Sequence, residues 1–183
     1  MQQSLPDEEI LALFRSPVTK EKGFTLLVNK YKERLYWHIR RMVVVHEDAD
    51  DVLQNVFIKT WNGLNRFRED SRLFTWLYRI ATNESLTHLK NQKKKTSFEA
   101  GFDEQGLQNK VKADAYFDPK KIEWKLQLAI QTLPEQQRLV FNLRYFDEMP
   151  YQEMSEITGV SVGALKASFH HAAKKVQQYL TRH

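Results

Sequence analysis

Aromatic and basic side chains crowd together in residues 67–95, which read FREDSRLFTWLYRIATNESLTHLKNQKKK. Wound as a helix, residues 73–90 place apolar side chains over most of the circumference and leave one narrow polar stripe. That stripe runs through Thr75, Arg79, Asn83 and Lys90, with Thr82 beside it and Trp76 on its flank. Cations hold the phosphates of single-stranded nucleic acid while its bases stack on aromatic rings. The stretch therefore indicates a single-strand binding face, and the alternative is a core helix whose aromatic side chains all point inward.

A second candidate site lies in residues 151–180, which have the pattern of a helix-turn-helix. Gly159 suits the tight turn between the two helices, and Ser161 can cap the second one. The predicted buried stripe of the second helix is Leu165, Phe169, Ala172, Val176 and Leu180. Its opposite face carries Gly163, Ala167, His170 and Lys174, with Lys166 and His171 at the edges. Small residues there would let the helix approach the major groove of duplex DNA, although such patterns also arise by chance in helical proteins.

The elements that must position these residues read as helices, because glycine and proline are few and no alternating β-branched run stands out. The pattern predicts helices over residues 7–15 and 21–45, and a third that starts near Asp48 and ends at Asn62-Gly63. The carboxylates near the start of that third helix belong to Asp48, Asp50 and Asp51. They suit the positive end of its dipole.

The second half of the chain begins where the helical periodicity of the sequence is lost. Residues 96–120 show no sustained period and read as a linker. Helical periodicity returns from Ile122, and Pro134-Glu135 opens another helix before the helix-turn-helix. The sequence thus predicts an all-α protein of two small helical domains joined by a flexible linker.

Composition excludes several classes of function. The chain has 183 residues and no cysteine, so disulfides and thiolate metal sites cannot form. The N-terminus lacks the pattern of a signal peptide and no apolar stretch approaches roughly 18 residues, so we expect a soluble protein without membrane insertion. No nucleophile is paired with a base, no glycine-rich phosphate loop occurs, and the adjacent His170 and His171 splay apart on a helix. We therefore expect no enzyme, no metal and no cofactor.

The net charge of +5 lies mainly in residues 1–95, which favours a polyanionic partner there or merely keeps the protein soluble.

Three blocks, at residues 48–61, 67–84 and 133–176, together make the chain resemble the extracytoplasmic-function (group IV) sigma factors of bacterial RNA polymerase. The resemblance implies that residues 1–95 form sigma region 2, residues 96–121 a linker, and residues 122–183 sigma region 4.

The resemblance also implies that region 2 docks on core RNA polymerase and captures the melted minus-10 strand, while region 4 contacts the minus-35 duplex and the polymerase flap. The residues facing the clamp helices of the largest polymerase subunit would be Asp51, Gln54, Asn55 and Lys59. The minus-10 residues would be Phe67, Trp76, Arg79, Asn83 and Lys90, of which Phe67 and Asn83 would line the pocket for a flipped base. The minus-35 residues would be Arg144, Ser161, Gly163, Lys166, Ala167, His170, His171 and Lys174. An anti-sigma factor is a further expected partner, and the chain would work in the cytoplasm, at the nucleoid, through polymerase.

The predicted recognition helix departs from the family pattern, since Ser168 and His171 stand where relatives often carry arginine. Arginine can make two hydrogen bonds to guanine or bind a phosphate, and these two positions lack it, so we expect weak minus-35 recognition. Polymerase, region 2 or an additional DNA-targeting partner would then have to supply the missing promoter affinity. Two alternatives stay open at this point. One is a helix-turn-helix regulator that acts without polymerase, and the other is an adaptor that binds only other proteins.

Overall fold

A computed structural model describes residues 5–96 and 122–182, so nearly all of the predicted linker lies outside the described residues. Within these two ranges every regular element is a helix, which confirms the predicted all-α class. The helices are α1 (Asp7–Arg15), α2 (Lys20–Val43), α3 (His46–Gly63), α4 (Leu73–Thr96), α5 (Ile122–Gln131), α6 (Glu135–Tyr145), α7 (Tyr151–Thr158) and α8 (Val162–Arg182), with a 3-10 turn at Leu64–Arg66. None of them combines the length and the apolarity that crossing a bilayer would need.

The helix ends follow local chemistry. Helix α1 has the predicted bounds because Pro6 precedes it and three acidic residues occupy its first turn, beside the positive end of the dipole. Helix α2 stops at Val43, two residues earlier than predicted, since Val44 takes the positive φ of 73° and leaves the helical conformation. Helix α3 then begins at His46, two residues ahead of the predicted start.

Helices α1 to α4 pack around α2, which contacts each of the other three. The predicted periodicity of α2 is confirmed by its buried side chains Leu27, Tyr31, Leu35 and Ile39. The buried residues contributed by α3 and α4 include Val52, Val56, Leu77, Tyr78 and Ala81. Burial of these apolar surfaces is the main force that holds the four helices together.

Helices α7 and α8 form the predicted helix-turn-helix. Gly159 ends α7 with a φ of 72°, a conformation that costs glycine nothing and most other residues about 1 kcal/mol or more. The backbone N–H of Ala164 lies 3.4 Å from the Ser161 hydroxyl oxygen, at the expected capping position. Leu165, Ala172 and Val176 are buried as predicted.

The two halves of the chain are not separate in this structure. Helix α6 packs on α2, and α7 packs on α4. Leu139, Leu143, Met149 and Met154 from the second half belong to the same apolar cluster as the buried side chains of α1 to α4. The described residues therefore form one packed unit in which the helix-turn-helix lies against the aromatic helix α4.

Candidate nucleic-acid interface

The polar stripe of α4 is only partly exposed. Arg79, Asn83 and Lys90 face solvent as predicted. Thr75 and Thr82, however, are 0% and 2% exposed, so the prediction that they belong to an outward-facing stripe is wrong. The Thr82 hydroxyl faces the buried ring of His38, with 3.0 Å between Oγ1 and Nε2. Thr75 is buried because helices pack on two sides of α4, α2 and α3 on one side and α7 on the other.

The two predicted minus-10 aromatics lie against each other at the start of α4. Phe67 is only 7% exposed, and its ring centroid lies 5.3 Å from that of Trp76, which is half-buried. A side chain at Gly63 would approach the Trp76 indole to 3.2 Å, so the small residue at the end of α3 leaves room for the ring. Trp76 therefore offers part of its indole to solvent, whereas Phe67 serves as its buried support.

Arg15, at the end of α1, fixes the loop that contains Phe67. Its Nη2 donates to the Glu69 carboxylate at 2.6 Å and to the Phe67 carbonyl at 3.4 Å. Glu69 has a positive φ of 61°, an uncommon conformation for a residue with a side chain. Arg15 was not predicted from the sequence. A basic residue in the last turn of a helix is common, because it interacts favourably with the negative end of the helix dipole, and so it does not indicate a further role.

Asn83 lies in an open cleft of about 380 Å³ on the exposed side of α4. The lining residues are Asn83, Leu86, Thr87, Lys90, Lys93 and Glu135, and Phe67 is not among them. The Asn83 amide can donate and accept hydrogen bonds, while Lys90 supplies a cation two turns away. The cleft thus combines an amide and lysine side chains with one carboxylate contributed by α6.

The predicted polymerase-binding residues share one surface of α3. Asp51, Gln54 and Asn55 are exposed. Lys59 is exposed too, but its ammonium already pairs with the Glu84 carboxylate of α4. The neighbouring acids are engaged otherwise: Asp48 accepts from the Gln92 amide at 2.7 Å, and Asp50 lies 3.5 Å from the His46 imidazole. No side-chain hydrogen bond caps the start of α3, and Asp51, Gln54 and Asn55 stay displayed on its surface.

The predicted minus-35 residues of α8 and its cap form an exposed face. The exposed members are Ser161, Gly163, Lys166, Ala167, His170, His171 and Lys174. Arg144 differs, because it is half-buried and its Nη1 donates to the carbonyls of Glu148 and Met149 at 3.4 and 3.2 Å. Its guanidinium also lies over the Tyr151 ring, so Arg144 braces the turn that leads into α7. The described residues hold no group of three or more potential metal ligands, around His170 and His171 or elsewhere.

Asp147 is the centre of the contact between the two halves, and sequence reasoning did not single it out. Its side chain is 8% exposed and lies 3.2 Å from the Arg41 guanidinium and 3.5 Å from the His38 imidazole. Burial, and next the charge of Asp147, raise the pKa of the Tyr78 phenol above its usual range. The Arg41 guanidinium also stacks on Phe146, at 4.3 Å from the ring centroid. A charged group from the second half is thus enclosed by the first half.

Comparison with known proteins identifies the parts of this arrangement. The family model described as Sigma-70 region 2 matches residues 27–95, and the model described as Sigma-70, region 4 matches residues 123–176. The RNA polymerase sigma-H factor of Pseudomonas aeruginosa is 31% identical over 168 residues, covering 87% of each chain. The ECF RNA polymerase sigma-E factor of Escherichia coli is 29% identical and is covered from end to end, as is this chain.

Two solved structures share the fold. The sigma factor RpoE from Bartonella quintana, crystallised with the anti-sigma factor NepR, has a TM-score of 0.73 at 19% identity, covering 87% of this chain and 98% of that one. CnrH, in complex with the cytosolic domain of CnrY, has a TM-score of 0.69 at 21% identity, covering 96% and 97%. Sigma factors are transcription initiation factors and not themselves enzymes. The chain belongs to the sigma-70 family, and it is an extracytoplasmic-function sigma factor of RNA polymerase.

Proposed function

We propose that residues 1–95 act as region 2, residues 96–121 as a linker and residues 122–183 as region 4 of a factor that directs core RNA polymerase to a set of promoters. The observation that carries this proposal is the presence of both sigma-70 regions in one chain, separated by a segment that neither model matches. Promoter DNA would then be contacted twice, as a melted strand by region 2 and as a duplex by region 4.

For the minus-10 strand, the exposed groups of α4 supply the needed chemistry. Arg79 and Lys90 would hold phosphates, and the Asn83 amide would read the edge of an unstacked base. The accessible part of the Trp76 indole would stack on a neighbouring base, with Phe67 holding that ring from below. Arg15 would contribute indirectly, by fixing the loop conformation at Phe67 and Glu69.

For polymerase, the exposed surface of α3 is the proposed docking site. Asp51, Gln54 and Asn55 offer one carboxylate and two amides that can pair with basic and polar groups of the clamp helices. Lys59 would have to leave Glu84, or share it, when it binds there. We also propose an anti-sigma factor as a partner, since the sigma factor RpoE, which shares this fold, was co-crystallised with the anti-sigma factor NepR.

For the minus-35 duplex, α8 offers a shape suited to the groove but few cations. Gly163 and Ala167 allow close approach, whereas Lys166 and Lys174 are the lysines of the proposed face. Affinity for duplex DNA depends strongly on the number of neutralised phosphates. Useful promoter affinity would therefore require tethering to polymerase, the contribution of region 2, or an additional DNA-targeting partner.

Reconstituted transcription tests the proposed function directly. The purified chain would be mixed with bacterial core polymerase and fragmented genomic DNA, and transcript 5′ ends would be mapped. We expect start sites that depend on the chain and share sequence elements near positions −10 and −35. Core polymerase alone and core with the Asn83→Ala variant are the controls. DNA binding without any stimulated start site would favour the helix-turn-helix regulator instead, and binding of neither DNA nor polymerase would favour the adaptor.

A further inference from the structure

Ile58 of α3 exposes an apolar side chain on the surface proposed to dock on polymerase. The side chain is 52% exposed, and among the described residues only Val18 and Tyr145 are other large apolar residues open to solvent. A single exposed apolar side chain is ordinary on a protein surface. The position of Ile58 sets it apart, because Val18 lies in the turn between α1 and α2 and Tyr145 lies at the end of α6.

The helical spacing places Ile58 at the centre of the polar docking surface. Asp51, Gln54 and Asn55 precede it by seven, four and three positions, and Asn62 follows it by four. At about 100° per residue, Ile58 falls within about 60° of each of them around the helix axis. All four polar residues are exposed. The surface is thus a ring of polar side chains around one apolar side chain.

An ordered aromatic side chain lies beside Ile58. Trp61 comes three positions later, so it is a neighbour on the helix surface, and it is half-buried. Its ring centroid lies 5.4 Å from that of Phe14 and 4.9 Å from that of Phe24, and both pairs of rings are nearly perpendicular. The Lys20 ammonium lies 4.6 Å from the Trp61 ring centroid. Three neighbours therefore hold the indole, and a partner would meet it with little ordering left to do.

The fold does not use the Ile58 side chain. The inward side of α3 is formed by buried residues that include Val52, Val56 and Thr60. Ile58 is not a member of the apolar cluster that holds α1 to α4 together in the described residues. Apolar surface left in water is unfavourable, and its removal from water stabilises a complex in proportion to the area buried. For Ile58 that gain is open to a partner that covers α3.

The charge of this surface suits a protein partner better than nucleic acid. Asp51 is the only charged residue in the ring around Ile58, and its carboxylate repels phosphate. Lys59, on the next side of α3, has its ammonium paired with the Glu84 carboxylate. A partner that offers an apolar pocket with basic and polar groups around it therefore fits this surface.

We propose that Ile58 is the apolar anchor of the docking surface, the central side chain that a pocket on the clamp helices of core polymerase encloses. The proposal rests on the docking role proposed for α3. Interfaces commonly draw most of their affinity from a few central side chains that lose all contact with water, while the residues around them exclude water. Ile58 and the accessible part of Trp61 form that centre. The surrounding carboxylate and amides set orientation and the rate of encounter more than affinity.

The test is retention of the full chain on immobilised bacterial core polymerase. We expect Ile58→Ala to weaken binding about tenfold, because it removes three apolar carbon groups from the contact and about half of their surface was exposed in the free chain. Ile58→Met keeps the apolar volume and should bind almost as well as the unmodified chain. Val18→Ala, the matched control outside α3, should have no effect. All three variants should unfold at the same urea concentration as the unmodified chain.

Salt separates an apolar anchor from a polar contact. The loss caused by Ile58→Ala should be the same at low and at high salt, because apolar burial is not screened. The loss caused by Asp51→Ala should shrink as salt rises, because ions screen an exposed charge. If the two losses shrink to the same extent, Ile58 acts through its charged neighbours and is not the anchor.

The remaining outcomes distinguish the anchor from the docking site as a whole. Full retention of Ile58→Ala, with weaker binding of the Asp51→Ala, Gln54→Ala variant, would overturn the anchor and leave the docking site standing. Full retention of both would refute the docking site as well. Equal losses for Ile58→Ala and Val18→Ala would also overturn the proposal. Sedimentation of the free chain is the last check, since a dimer that Ile58→Ala dissociates would assign this side chain to a second copy instead.

Discussion

The guanidinium of Arg41 lies 3.2 Å from the Asp147 carboxylate and so joins two residues that are 106 positions apart in the chain. The Arg41 backbone carbonyl accepts at the same point from the side-chain amides of Gln131 and Asn142, at 3.2 and 3.5 Å. One residue near the end of α2 is thus bonded to α5, to α6 and to the turn that follows α6. Several polar contacts between the two halves thus converge on Arg41.

Replacing Asp147 by Ala should therefore weaken that connection. The substitution leaves Arg41 and His38 without their enclosed anion, and we expect the free energy of unfolding to fall by about 2 kcal/mol. Urea denaturation followed by tryptophan fluorescence measures the change. Glu148→Ala, in the same turn but exposed, is the control and should have little effect. Equal losses of unfolding free energy in the two variants would mean that the turn, and not the Arg41–Asp147 ion pair, determines the stability of this region.

Polymerase binding should depend on the exposed surface of α3. Asp51→Ala with Gln54→Ala removes a carboxylate and an amide from the proposed docking site, and we expect retention on immobilised core polymerase to fall about tenfold. Glu33→Ala with Asn29→Ala removes the same two chemical groups from the exposed side of α2. Circular dichroism should show the same helical content for both. Full retention of the α3 variant would refute this docking site.

Strand recognition should depend on Asn83. Asn83→Ala in the holoenzyme removes hydrogen bonds to a base edge, and we expect binding to a fork with a single-stranded minus-10 element to weaken by about 1 kcal/mol, or roughly fivefold. Asn91→Ala, on the same helix but on another side, is the matched control. If Asn83→Ala lowers the melting temperature and spares fork binding, the amide has a structural role only.

The conformation of the loop that contains Phe67 should depend on Arg15. Arg15→Ala removes the donor to Glu69 and to the Phe67 carbonyl, which frees the loop without touching α3. We expect fork binding to weaken about threefold while retention on core polymerase stays the same. Glu69→Gln should add little to Arg15→Ala, because both break the same contact, and a double-mutant cycle on fork binding measures this coupling. Additive effects would mean that the two residues act separately.

Duplex binding should respond to added arginines on α8. Ser168→Arg with His171→Arg restores the side chains common at these positions, and we expect tighter duplex binding with a salt slope steeper by about 0.9 per new phosphate contact. The control is Gln177→Arg with Gln178→Arg, which adds the same charge near the end of the helix. It should strengthen duplex binding less than the Ser168→Arg, His171→Arg variant does. Tight, sequence-specific binding by the unmodified chain would show that small residues and histidines suffice for readout.

Local patterns predicted the helices well. The bounds of α1, the apolar stripe of α2, the turn at Gly159 and the cap at Ser161 each depend on residues close in sequence, so periodicity and capping chemistry were sufficient to find them. The positive φ of Val44 carried no comparable signal, because a β-branched residue is not expected to end a helix in that way. The predicted end of α2 and the predicted start of α3 were each wrong by two residues for that reason, whereas the predicted end of α3 at Asn62-Gly63 is confirmed.

The candidate site was harder to predict because its surroundings come from distant parts of the chain. Thr75 was assigned to an outward stripe by angular position alone, and that assignment failed because α7 covers the start of α4. Arg15 and Asp147 went unnoticed, since their partners are 54 and 106 residues away. A hydrophobic period reveals which side of a helix is apolar, but it does not reveal that a second element will also cover the polar side.

The position of Glu135 along the chain also sets an order in time. It lies 42 residues after Lys93, its partner across the contact. At about 5–20 residues per second, a ribosome needs about 2 to 8 s to add those residues. During that interval α1 to α4 can already fold, yet Lys93 has no carboxylate of the second half to meet. Each newly made molecule therefore passes through a brief stage in which the second half does not yet cover α4, and α4 is open to RNA, the polyanion of the ribosome itself.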